Sequence, residues 1–198
     1  SGKLDNRGRL ISDSELMLSA GQIANSGTLS GGQGLGVSTD IYTATAASVL
    51  HSEAALSLSA REATLAGETS ASGLLTVNGN RLKTLATAQT QGESVNVDVL
   101  SAQLDGTQVA RGALTLKVSD SLIHSGKTSA TTLKADGTSL TNSGTLLASD
   151  VDLNAQSVVN TGTLEGRDAF TLQTGTLDNQ SGATIVAPKT TISGVSLM

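Results

Sequence analysis

The chain contains two histidines, the residue type most often used for acid–base catalysis and metal binding near neutral pH. His51 lies in an irregular stretch, residues 40–55, with Glu53 two residues later. A single His–Glu pair is neither a zinc site nor a catalytic triad, so a solvated loop is expected there. His124 stands in a turn position, and a structural role is favoured because histidine is enriched at positive φ. We therefore predict no catalytic, metal or cofactor-binding residues and no cofactor, and the sequence assigns no residue to ligand binding.

Carboxylates could do a different chemistry, because enzymes that cleave polysaccharides need acids clustered on one face, often beside a basic residue. Asp150 and Asp168 are expected to be near neighbours, with Arg167 beside them, and Asp13 and Glu15 occupy comparable places far along the chain. Aromatic residues, which would stack against sugar rings, make up only 1% of the chain. We therefore predict a solvated face and a protein that is not an enzyme, with a polysaccharide-cleaving enzyme as a remote alternative.

Two short motifs have weaker chemical meaning. The glycine-rich run over residues 31–36 resembles a phosphate loop, but no Lys-Ser or Lys-Thr follows it and no helix is expected there, so we predict a flexible turn. Asn179, Gln180 and Ser181 match the pattern of a glycosylation acceptor. This match is interpreted as a coincidence, because Asn179 belongs to a repeated turn.

The elements that would position these residues are indicated by an aliphatic residue that recurs about every 19 positions through the whole chain. Self-similarity at this period is typical of solenoids, in which each repeat forms one coil and buries its apolar face against its neighbours. These recurring positions, called the aliphatic rungs below, are Leu18, Val37, Leu58, Val77, Val97, Leu116, Leu133, Leu153, Leu172 and Ile192.

The residues beside each rung alternate between apolar and polar. The position two before a rung is mostly apolar, as at Leu56 and Leu114, although Thr131 and Thr190 break the series. The position after a rung is polar, as at Ser59 and Lys117. Alternation with period two predicts a half-buried strand, and a strand that stacks on its own copy one coil away must pair in parallel. The sequence therefore predicts an all-β fold, a parallel β-helix of about ten coils with about 19–20 residues per coil.

A second series marks a turn that contains asparagine and glycine. Because these residues adopt left-handed backbone conformations at least cost, each Asn-x-Gly is expected to turn the chain onto a new face, and stacked asparagine amides can hydrogen-bond to one another. His124 takes the asparagine place in one copy. The asparagines of this series are Asn6, Asn25, Asn142, Asn160 and Asn179.

The repeat is regular over residues 1–39 and 111–194 and looser over residues 40–110, where longer or bent turns are expected without a break in the stack. Since it runs through the whole chain, we predict one β-helix domain, residues 1–198. Neither end carries a polar capping repeat, which solenoids need for solubility, so a segment excised from a longer repeat protein is expected.

Composition restricts the partners. The chain has no cysteine, which excludes disulfides and thiolate metal sites, and its net charge is −5 with both signs spread along it. Nucleic-acid binding calls for a clustered basic face and stacking aromatics, so no nucleic-acid partner is predicted.

The repeated Leu-x-Asn-x-Gly-x-Leu pattern followed by an aliphatic strand, at about 19–20 residues, resembles the filamentous haemagglutinin repeats of bacterial two-partner secretion exoproteins. These are either haemagglutinin-type adhesins or effectors of contact-dependent growth inhibition. The resemblance implies a right-handed β-helix, export through a dedicated outer-membrane transporter, and secretion to or display on a Gram-negative cell surface.

The leading functional hypothesis is a structural stalk that projects a distal adhesive or toxin domain. The alternative is a module that binds a target-cell receptor or glycan with an exposed face of the irregular coils. Surface aromatic residues would support binding, but Tyr42 is the only tyrosine and Phe170 is assigned to the core.

Overall fold

The computed structural model describes residues 2–194 and 196–197, so Ser1, Val195 and Met198 of the predicted domain lie outside the described residues. The described residues form strands and no helix. No helix in this part of the chain has the length and apolar character needed to cross a membrane. The strands are β1 (Lys3–Asn6), β2 (Arg9–Ser12), β3 (Glu15–Asn25), β4 (Thr28–Gly31), β5 (Gly34–Ala44), β6 (Val49–Ser52), β7 (Leu56–Leu65), β8 (Glu68–Ala71), β9 (Leu74–Thr84), β10 (Gln89–Gly92), β11 (Ser94–Leu104), β12 (Thr107–Ala110), β13 (Ala113–His124), β14 (Lys127–Asn142), β15 (Thr145–Asn160), β16 (Thr163–Asn179), β17 (Thr184–Val186), β18 (Lys189–Ser193) and β19 (Ser196–Leu197).

Every strand pairs in parallel with its equivalent one coil away. In the first six coils a long strand alternates with a short one, so β3 pairs with β5 and β4 pairs with β6. In β14, β15 and β16 the long and short strands merge, and these three strands pair along most of their length. The predicted parallel β-helix of about ten coils is confirmed.

The aliphatic rungs stack as predicted, with one exception. Val77 pairs with Val97 and Val97 pairs with Leu116, and the rungs from Val37 to Leu172 that follow the predicted column are at most 5% exposed. The assignment of Leu133 was wrong, because Leu116 pairs with Ala135, while Leu133 pairs with Leu114 in the neighbouring inner column. The sequence pattern favoured the larger residue, but the small Ala135 is the one enclosed between Leu116 and Leu153.

The core is a channel of stacked side chains in which large and small residues complement one another. Tyr42 is 1% exposed and lies between Ile23 and Ala63, so its ring fills the space that the alanine leaves. Its hydroxyl accepts a hydrogen bond from Nδ2 of Asn25 at 3.4 Å, and burial raises the pKa of Tyr42 to about 12. Because Phe170 is also buried, the chain has no aromatic residue on its surface.

The turn glycines are needed for a reason other than the one predicted. Among the described residues only Gly182 and Gly194 have φ in the left-handed region, and no non-glycine residue has positive φ. A Cβ atom on Gly144 would instead collide with the carbonyl oxygen of Gly126 in the preceding coil. Close backbone approach between coils, not a left-handed φ, selects glycine here.

Three coils carry a larger residue, Ser48, Ala88 or Ala183, in place of this stacking glycine, and their turns are longer. The turns over residues 45–48, 85–88 and 180–183 close with hydrogen bonds from Ser48 N to Thr45 O, from Ala88 N to Leu85 O and from Ala183 N to Gln180 O. Each of these turns has two residues more than a turn with the stacking glycine, such as residues 26–27. The strands on both sides keep their parallel partners, so the stack continues through residues 40–110.

Candidate functional site

The asparagine ladder consists of amides that hydrogen-bond from coil to coil, all of them buried except the exposed Asn179. Asn6 donates to Oδ1 of Asn25 at 2.8 Å, Asn142 donates to Asn160 at 2.9 Å, and Asn160 donates to Asn179 at 2.8 Å. The amides also donate to the backbone of the next coil, as from Asn160 to Thr184 O at 3.2 Å. These contacts satisfy polar groups inside the turn and leave them no free position for a ligand.

His124 takes the asparagine place in this ladder and is fully buried at the end of β13. It does not have the positive φ that the sequence analysis expected. Its Nδ1 lies 2.8 Å from Oδ1 of Asn142, and its Nε2 lies 3.0 Å from Oγ1 of Thr128. Burial lowers the pKa of His124, and the hydrogen bond to Asn142 and the charge of Asp105 oppose that shift.

A buried polar chain continues from His124 through the middle coils. The Thr128 hydroxyl donates to Oε1 of Gln108 at 2.8 Å, and Nε2 of Gln108 donates to Oγ1 of Thr84 at 3.2 Å. One further buried hydroxyl, that of Thr90, has no partner among the described residues. This polar interior was not predicted; its signal in the sequence is that polar residues replace leucine in the middle of one inner column. The paired residues of that column are Leu50, Thr69, Thr90, Gln108, Thr128 and Leu146.

A second polar cluster lies on the surface of the short strands. His51 is not in a solvated loop but in β6, and its partner is not Glu53. Its Nδ1 lies 2.8 Å from Oγ of Ser70, and the Ser70 hydroxyl donates to Oε1 of Glu68 at 2.9 Å. The serine stands between the histidine and the carboxylate, whereas a hydrolase triad has the histidine in the middle. This order does not activate the serine as a nucleophile.

The cluster opens into a surface groove of about 240 Å³. A row of paired residues from four successive coils runs along it, because His51 pairs with Ser70, Ser70 with Gln91, and Gln91 with Val109. Arg111 stands at the far end and is exposed. No group of three or more metal-ligating side chains occurs among the described residues, here or elsewhere.

Asp150 and Asp168 lie in adjacent coils without being register partners. Asp150 pairs with Ala169, and the register shifts just before it, so Asp168 and Arg167 fall beside the pairing and not within it. The structure describes no ion pair for Asp150, Asp168 or Arg167. Asp13 and Glu15 are likewise exposed.

The glycine-rich run over residues 31–36 and the motif that begins at Asn179 have structural roles in the strands and turns. Within the glycine-rich run only residues 32–33 form a turn, since β4 ends at Gly31 and β5 begins at Gly34. Asn179 accepts the hydrogen bond from Asn160 and belongs to the asparagine ladder.

Comparison with known proteins gives a consistent set of relatives. The chain is 60% identical over 185 residues to the tRNA nuclease CdiA of Escherichia coli strain STEC_O31, and 59% identical over 185 residues to the tRNA nuclease CdiA of Escherichia coli O6:K15:H31. It is 50% identical over 188 residues to the 16S rRNA endonuclease CdiA of Enterobacter cloacae subsp. cloacae. These matches cover 93–95% of this chain but only 6% of each relative. No family model and no solved structure matches the chain.

The resemblance predicted from the sequence is therefore confirmed, because the relatives are CdiA proteins, which are contact-dependent growth inhibition exoproteins of the two-partner secretion type. The prediction that the protein is not an enzyme was wrong, because the relatives that match nearly the whole of this chain are named as nucleases. That prediction weighed only the side chains of this chain, which corresponds to 6% of the length of those relatives.

Proposed function

We propose that this chain, a homologue of a segment of the CdiA proteins, is a length of rigid shaft that projects the toxic part of a secreted exoprotein away from the cell. The observation that carries the proposal is the unbroken parallel pairing from β1 to β18 along one axis. With about 4.8 Å between parallel strands, ten coils extend roughly 45–50 Å. Continuous main-chain hydrogen bonding makes such a rod stiff.

The proposal extends to export and location. An outer-membrane two-partner secretion transporter is the partner during export, and the folded shaft stands on the outer face of a Gram-negative cell. Each coil that folds outside the membrane stabilises the next through the same pairing, so stepwise folding draws the chain outward without ATP. The absence of cysteine fits a route that requires an uncrosslinked chain.

The activity of the whole protein is part of the same proposal. The names of the relatives, tRNA nuclease and 16S rRNA endonuclease, support a nuclease toxin that acts on RNA in a target cell. The contribution of the solenoid is then distance and orientation, which bring the toxic part within reach of that cell.

A register-preserving deletion in the whole protein tests the shaft role. Removing residues 58–152 joins Ser57 to Leu153, which occupies the same column as Leu58, so about five coils are lost and the filament should shorten by about 24 Å. Electron microscopy of displayed filaments measures the length, and co-culture measures growth inhibition, which should persist.

The matched control removes residues 58–153, one residue more. This shift turns every inward side chain outward in the following strand, so the control should fail to fold and to be displayed. An unchanged filament length, or loss of inhibition in a normally displayed register-preserving deletion, contradicts the shaft role.

A further inference from the structure

The directions of the hydrogen bonds in the groove determine which ring nitrogen of His51 is free. The Glu68 carboxylate can only accept, so the Ser70 hydroxyl gives it the one hydrogen it has. The Ser70 oxygen must therefore accept its second bond from Nδ1–H of His51. In a neutral imidazole the other nitrogen, Nε2, then carries a lone pair, for which the structure describes no partner.

The groove offers complementary groups along its length. His51 provides an acceptor at one end, Gln91 provides both a donor and an acceptor in the middle, and the Arg111 guanidinium provides a cation at the other end. The described residues include no ion pair for Arg111. From the coil of His51 to that of Arg111 there are three steps of the stack, or roughly 14 Å.

The shape of the floor argues against peptides and nucleic acids. A peptide would add as a strand to an exposed sheet edge, but β8 and β10 already pair on both sides. A nucleic acid would need several phosphate contacts, whereas Arg111 is the single basic side chain among the groove residues apart from His51. Val109 is the only sizeable apolar side chain there, so an apolar ligand would gain little.

We propose that this groove binds an acidic oligosaccharide that lies along the solenoid axis, with a sugar carboxylate at Arg111 and sugar hydroxyls between Gln91 and Nε2 of His51. A carboxylate is matched by the planar fork of a guanidinium, and a hydroxyl can donate to Nε2 while accepting from an amide. Glu68 and Ser70 are positioning residues, because they hold His51 in the tautomer that accepts. The binding site goes beyond the shaft role and does not depend on it.

The experiment titrates the isotope-labelled 198-residue chain with carboxylated tetrasaccharides of galacturonic and mannuronic acid and follows backbone NMR shifts. Concentrations extend to about 20 mM, the range in which one charge-assisted contact and a few hydrogen bonds are measurable. Shifts are expected around residues 51, 70, 91 and 111. The methyl ester of the same tetrasaccharide, which lacks the charge, should bind at least about tenfold more weakly.

Variants separate the groove from the rest of the surface. Arg111→Gln should weaken binding about tenfold and His51→Gln about threefold, while Arg81→Gln, an exposed arginine outside the groove, should leave affinity unchanged. The proposal is overturned if neither carboxylated tetrasaccharide shifts the groove residues, if the ester binds as well as the acid, or if Arg111→Gln binds within about twofold of the parent chain. Each of these results leaves the shaft test unaffected.

Discussion

The Nδ1 atom of His124 lies 2.8 Å from Oδ1 of Asn142, so a histidine ring continues a ladder of asparagine amides. Asn142 donates through Nδ2 to Oδ1 of Asn160. This orientation of the Asn142 amide turns its Oδ1 towards His124, so Nδ1 of His124 must carry a hydrogen. If His124 is neutral, Nε2 must accept from Thr128, and Gln108 must then present its amide NH₂ to Thr128. Protonation of His124 would let Nε2 donate to Thr128, which fits Thr128 donating to Oε1 of Gln108. Burial opposes that protonated form, because it lowers the pKa of His124.

The stability of the solenoid should depend on pH through His124. Its pKa is lowered in the folded state from the ordinary 6.5, so the unfolded chain binds the proton more readily. The stabilisation of the folded chain that results from this pKa difference is therefore fully present above about pH 6.5. It is lost as the pH falls from there through the folded-state pKa. Asp105 is the charged neighbour that opposes this shift. Urea denaturation across this window measures the free energy of unfolding.

The variant His124→Asn isolates this contribution, because asparagine fits the ladder and does not titrate. It should remove the step in stability near pH 6.5, at a cost of about 1 kcal/mol for the lost contact with Thr128. A pH profile identical to that of the parent chain would show that His124 is not the group responsible.

Replacing Thr90 with valine should stabilise the chain. The Thr90 hydroxyl is buried and has no hydrogen-bond partner in the described part of the chain, and valine has nearly the same shape without the hydroxyl. Removing an unsatisfied buried polar group should raise the free energy of unfolding by about 1 kcal/mol, read from the urea midpoint. Thr128→Val, at an equivalent place two coils later, should lower it by about 1–3 kcal/mol because Thr128 bonds both His124 and Gln108. A destabilised Thr90→Val variant would mean that the hydroxyl does have a partner.

The inside and outside of the strands can be tested at two adjacent residues. Val97 is 5% exposed in the core, and Asp98 is exposed on the outer face. Val97→Asp places an unpaired charge in the channel and should cost at least about 3 kcal/mol or prevent folding. Asp98→Ala should change stability by less than about 0.5 kcal/mol. Circular dichroism and thermal unfolding compare the two, and similar losses would contradict the assignment of faces.

The repeat was predictable because each aliphatic rung has the same polar and apolar neighbours, and the period of two shows which side is buried. The assignment of Leu133 failed because hydrophobicity ranked it above Ala135, although packing between coils accepts the smaller residue. The buried polar chain could not be predicted from local pattern. Thr90 and Gln108 resemble surface residues, and only their parallel partners place them in the core.

The contact between His51 and Ser70 in the surface groove could have been predicted from the sequence. His51 precedes Leu58 by seven residues, and Ser70 precedes Val77 by the same seven, so their alignment to the rungs already placed them side by side. The prediction considered Glu53 as the neighbour of His51 instead, because Glu53 is closer to it in the chain. In a solenoid, contacts are made across one coil more often than between neighbours in sequence.

The stacking glycines should be sensitive to any added side chain. In Gly144 a Cβ atom would meet the carbonyl oxygen of Gly126, which accepts a hydrogen bond from Thr145 N at 3.0 Å. Gly144→Ala must therefore separate the two coils or disrupt that bond, and we expect a loss of about 1–3 kcal/mol in the free energy of unfolding, measured by urea denaturation.

Gly8 provides the matched control, because it occupies the corresponding turn of the first coil and a Cβ atom there would meet nothing within 4 Å. Gly8→Ala should be neutral or slightly stabilising, since alanine restricts the unfolded chain at a position whose φ it can adopt. If both substitutions cost the same, the glycine requirement comes from the conformation of the turn itself. If only Gly144→Ala is costly, the requirement comes from the close approach of the preceding coil, as the structure implies. The longer turns over residues 45–48, 85–88 and 180–183 are then the alternative solution to the same contact.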